Sequence, residues 1–69
     1  MTMLSLTVNG EPRTVPAMAH ARALLEHLAL DPRAVVVELN RQIVRREALD
    51  RTPIRDGDRV ELVHFVGGG

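Results

Sequence analysis

Cysteine is absent, so no disulfide framework, thiol nucleophile or cysteine-based zinc site can be built from this chain. Any sulfur chemistry has to use sulfur brought from elsewhere. Tyrosine and tryptophan are absent too, and Phe65 is the one aromatic residue, which removes the set of stacking platforms that single-strand binders use. Lysine is missing as well: all nine basic side chains are arginine, so no isopeptide-linked chain can be attached to a lysine here. Nine acidic residues balance the nine arginines, and a formal net charge of zero leaves no field to hold a polyanion. No nucleic-acid partner is therefore expected. No apolar run approaches bilayer length, and the opening "MTMLSLTVNG" lacks the charged start and long apolar stretch of a secretory signal. The expectation is a cytoplasmic protein without a membrane partner.

What remains is 69 residues, 45% apolar and 26% charged, enough for one domain near the lower size limit for a self-sufficient core. From Met3 to Val8 the apolar residues Leu4, Leu6 and Val8 alternate with Ser5 and Thr7, the pattern of a strand with one face buried. Asn9-Gly10 follows as a hairpin signal, because both residues tolerate positive φ. A short second strand is expected near Arg13 to Val15, closed by Pro16. Between Met18 and Leu30 the period changes: Met18, Ala21, Leu25 and Leu28, with Leu24 beside them, form one helical stripe, and Arg22, Glu26 and His27 face water. No Ser, Thr, Asp or Asn stands at the start as a cap, and Asp31-Pro32 supplies the stop.

"AVVVELN" at 34–40 predicts a third strand, with Val35, Val37 and Leu39 toward the core and Val36 and Glu38 opposite. Asn40-Arg41-Gln42 turns the chain into a short fourth strand at Ile43-Val44. In the charged stretch that follows, Leu49 and Ile54 are expected as satellites of the core. Asp56-Gly57-Asp58 predicts a tight turn with Gly57 left-handed, and a last strand runs from Arg59 to about Val66. One helix over one face of a five-strand sheet is an α+β roll.

The chain resembles the ubiquitin-like sulfur carriers of β-grasp fold, in particular the ThiS family of thiamine biosynthesis. The resemblance spans essentially the whole chain and rests on "LTVNGEP" at 6–12, "LLEHL" at 24–28, "VVELNRQIVRRE" at 36–47, "DGDRVELV" at 56–63 and the final Gly68-Gly69. Asp-Gly-Asp alone also occurs in β-grasp modules with other duties; joined to the closing glycines it is more specific. The resemblance implies a mixed sheet whose first and last strands are parallel neighbours, a helix packed diagonally across it, a domain over residues 1–66 and a Gly tail at 67–69. A proline common near Arg45 in relatives is missing here, as is the usual polar helix cap.

The resemblance also implies where the chemistry lies. A carboxylate at Gly69, ionised at neutral pH, is able to attack the α-phosphate of a nucleotide. The acyl-adenylate would then exchange AMP for sulfur and leave a thiocarboxylate. Gly67 and Gly68, lacking Cβ, would let it pass a narrow channel, and three extended residues reach about 10 Å. Implied partners are a ThiF-type adenylyltransferase that uses the ATP, a ThiG-type thiazole synthase and a sulfur-donating enzyme; no cofactor is bound by the chain itself. If Val60 and Leu62 face the helix, alternation puts Val63 and Phe65 on the open sheet face; these two, together with Val66, are the candidate docking residues, the alternative being that Phe65 packs under a loop.

Other readings compete. The small subunit of molybdopterin synthase uses the same terminal chemistry but is usually longer and richer in Phe, and carriers for cysteine biosynthesis or tRNA thiolation are further variants. A regulatory or RNA-associated β-grasp module would leave the tail inert. His27 and Asp31, four apart, have a spacing that can chelate a metal, yet two ligands do not make a site. His20 and His64 stand alone, and Arg45-Arg46 reads as a solvated pair. No acid, base and nucleophile can be assembled, so a carrier rather than an enzyme is expected.

Overall fold

The computed structural model describes residues 2–65. Five strands form one sheet in the order β2-β1-β5-β3-β4: β1 is Met3–Val8, β2 Glu11–Pro16, β3 Val35–Leu39, β4 Gln42–Val44 and β5 Arg59–His64. β1 and β5 run parallel, and the other neighbours are antiparallel. The mixed sheet with a single helix, α1 (Ala21–His27), is the β-grasp arrangement that the resemblance implies.

Both two-residue hairpins use positive φ at both central positions: Asn9 and Gly10 at +50° and +82°, Asn40 and Arg41 at +49° and +71°. Such turns match the twist of the flanking strands. Each asparagine also serves the central strand. Asn9 Oδ1 accepts the Leu62 N–H at 2.7 Å, and Asn40 Oδ1 accepts that of Arg59 at 2.9 Å. β5 is therefore held from both sides, by Asn40 at its first residue and by Asn9 at its fourth. Gly57, at φ +88°, takes the expected left-handed conformation; the flanking Asp56 accepts the Ser5 N–H at 2.7 Å, and Asp58 accepts from Arg55 N–H and Asn40 Nδ2. The Asp-Gly-Asp turn thus splices β1 and the β3–β4 hairpin to the root of β5. At the sheet's β2 edge, Pro12 and Pro16 occupy positions whose backbone points outward, which leaves few donors for unwanted strand pairing.

The helix is shorter than its apolar stripe predicts. It begins at Ala21 rather than Met18, because His20 is extended and its Nδ1 accepts the Ala23 N–H at 3.2 Å. A histidine therefore supplies the polar cap that a search for Ser, Thr, Asp or Asn does not find. Met18 still packs against the core, from outside the helix. The other end comes before Asp31-Pro32: Ala29 turns left-handed at φ +60°, its N–H bonds Glu26 O at 3.0 Å, and the Leu30 N–H bonds Leu25 O at 2.9 Å. These two bonds are the Schellman pattern, which normally places glycine at this position. Ala29→Gly is expected to stabilise the domain by about 0.5–1 kcal/mol, since a side chain in this conformation is strained and glycine's looser unfolded state offsets only part of the relief. Thermal unfolding checks it: Tm should rise by about 2–8 °C.

The core lies between α1 and the sheet, and among the described residues none that is buried is polar or charged. Ala21, Leu24 and Leu25 from the helix meet Leu4, Leu6, Val8, Val15, Val35, Val37, Val60 and Leu62. Leu49 and Ile54 are full members, 2% and 6% exposed, rather than satellites. Leu49 is carried inward by a 3-10 turn over Arg46–Arg51 that packs against α1.

Candidate functional site

β5 is the central strand, and its two faces have opposite characters. Val60 and Leu62 are buried under the helix, while Val63 is 60% and Phe65 56% exposed. Phe65 lies just past the strand; its N–H reaches Ala34 O at 3.1 Å, and among the described residues no loop covers its ring. Strand pairing assembles the rest of the open face. Val63 is opposite Val36, Glu61 opposite Glu38, and Glu38 in turn opposite Ile43, which is 68% exposed. Phe65, Val36 and Ile43 line one shallow groove together with Arg33, Arg45 and Arg46. The expected strand end at Val66, the docking role of Val66 and the tail Gly67, Gly68 and Gly69 lie outside the described residues.

Sequence reasoning placed Val63 and Phe65 on this face but missed Val36 and Ile43 as their neighbours. Alternation within each strand was the available signal. Without the register it does not tell which side chains on separate strands stand together.

The remaining polar candidates resolve into structural roles. Asp31 is not on the helix beside His27, contrary to their spacing: it caps the 3-10 turn Pro32–Ala34. Its carboxylate accepts the Arg33 backbone N–H at 2.8 Å and pairs with the Arg33 guanidinium at 3.1 Å. The Arg33 side-chain hydrogen bond, and then the backbone one, hold the Asp31 carboxyl below its ordinary value. Protonation as pH falls through that lowered value removes the pair, but both groups are solvent-exposed, so the effect on stability is small. No group of three or more His, Cys, Asp or Glu that could hold a metal occurs among the described residues. His64 is exposed at the end of β5. Among the described residues no helix is long and apolar enough to cross a membrane.

Comparison with known proteins addresses what this scaffold is for. The model of the ThiS family matches residues 6–69. The chain belongs to the ThiS family. The crystal structure of thiamine biosynthesis protein ThiS from Geobacter metallireducens superposes with a TM-score of 0.82 at 43% identity, over 96% of this chain and 100% of that one. The sulfur carrier protein ThiS of Bacillus subtilis is 41% identical over 46 residues, 67% of this chain and 70% of the relative. Thiazole synthase of Paramagnetospirillum magneticum is 41% identical over 66 residues, 96% of this chain but only 20% of the synthase. The chain thus spans about a fifth of the two thiazole synthases that it matches. The family members matched in Bacillus subtilis and Thermus thermophilus are sulfur carrier proteins.

Proposed function

We propose that this protein carries sulfur on the carboxyl group of Gly69 and delivers it for thiazole formation, acting in the cytoplasm as a protein substrate and donor rather than as an enzyme. A carboxylate oxygen attacks the α-phosphate of ATP held by a ThiF-type adenylyltransferase, and pyrophosphate leaves. Hydrosulfide, sulfur at the sulfide level supplied by a sulfur-donating enzyme, then attacks the carbonyl carbon; the bond to the AMP oxygen breaks, AMP leaves, and loss of the sulfur's proton leaves a thiocarboxylate. ATP belongs to the activating partner, and no cofactor stays with the chain.

The observation that carries this reading is a family match running to residue 69 in a sequence with glycine at positions 67, 68 and 69. Residues without Cβ leave the backbone free to enter a confined pocket. The matched thiazole synthases and sulfur carriers favour thiazole formation over the molybdopterin alternative. They also support a ThiG-type thiazole synthase as the acceptor of the sulfur.

Intact-mass measurement after incubation with ATP, the adenylyltransferase and a sulfur source tests the proposal. The mass should rise by the difference between sulfur and oxygen; an unchanged mass with an active adenylyltransferase would sink it. Val63 and Phe65 are the docking residues in this reading, since exposed apolar side chains at the end of β5 are available to a partner. Phe65→Ala should weaken binding of thiazole synthase by about 2 kcal/mol, the threshold of an interface hot spot. Calorimetric titration reads it, and an unchanged affinity in a folded variant removes Phe65 from the interface.

A further inference from the structure

Glu38 and Glu61 face each other directly across β3 and β5, in the middle of the open face. Side chains so placed have Cβ atoms about 5 Å apart, and like charges at this spacing repel. Both residues are half-buried. The ion pairs among the described residues are Arg22–Glu26 and Arg33–Asp31, so neither carboxylate has a cation within salt-bridge distance there. The nearest arginines in sequence are Arg59, two residues before Glu61, and Arg41 and Arg45, two residues to either side of Ile43.

The two glutamates stand between exposed apolar residues. Ile43 flanks Glu38 on one side, and Val63 follows Glu61 on the other strand. A partner that covers Ile43 and Val63 therefore also covers both carboxylates. Burying two unpaired negative charges is costly, and a surface that is purely apolar or acidic would meet that cost in full. One cation set between them interacts with both and relieves their mutual repulsion.

Building on the proposed function, we infer that the open face docks against a site on the thiazole synthase that presents a basic side chain among apolar ones. The cation lies between Glu38 and Glu61, and its apolar neighbours cover Ile43 and Val63. The glutamate pair then selects the partner by charge while the apolar residues supply contact area.

The double variant Glu38→Gln/Glu61→Gln tests this, because stability and binding should move in opposite directions. It should be at least as stable as the parent in urea, since a repulsion has been removed. It should bind the thiazole synthase of the same organism about tenfold more weakly, with a flatter dependence on salt. If the parent loads sulfur and binds the synthase while the folded double variant binds equally well or better, this inference alone is overturned. If the parent neither loads nor binds, the proposed function falls and this inference with it.

Discussion

Removal of Gly69 is expected to abolish thiocarboxylate formation while leaving the fold intact. Shortening an extended chain by one residue withdraws its carboxylate by about 3.5 Å. A displacement of about 1 Å from the reactive position already costs about a hundredfold in rate, so the truncated chain should load more than about a hundred times more slowly. The core residue nearest in sequence to the deletion is Leu62, so unfolding should be unchanged. Intact mass after the loading reaction, read beside an unfolding curve, separates the two effects. A truncated chain that loads at the full rate would show that the reacting atom is elsewhere.

Leu25→Ala should have the largest effect on folding. Leu25 is 0% exposed, and its side chain belongs to the helical stripe that closes the core over the sheet. Leucine-to-alanine changes at such sites cost about 2–5 kcal/mol. A domain of this size has about 3–5 kcal/mol in total. The variant should therefore be largely unfolded at 37 °C or melt at least about 10 °C lower. Circular dichroism checks it. Val63→Ala is the contrast: with Val63 60% exposed, truncation leaves no cavity and should barely move Tm. Open-face variants can therefore be tested in partner assays without loss of the fold.

The helix boundaries show where local pattern ends as a guide. Apolar spacing extends the stripe from Met18 to Leu28, and all of those residues do contact the core. Yet the backbone leaves the helix at both ends, because contacts distant in sequence win there. Ala17 N–H bonds Thr2 O and Ala21 N–H bonds Thr52 O, so the segment before the helix is held by the sheet and by the loop before β5. Ala29 accepts a strained φ so that Leu30 can return to the core. Leu49 and Ile54 were visible as isolated apolar residues in a charged stretch. Their full burial depends on a 3-10 turn that no apolar period announces.

The sequence by itself determined the strand alternation, the positive-φ hairpin at Asn9-Gly10, the left-handed Gly57 and the inward and outward faces of β5, since each follows from the conformational limits of a few adjacent residues. It also carried the family resemblance and the closing glycines. Only the tertiary structure decided that His20 caps the helix, that Val36 and Ile43 join Val63, and that Glu38 meets Glu61. Register between strands is set by the packing of the whole core, so residues 23 positions apart become neighbours through contacts that neither segment encodes alone.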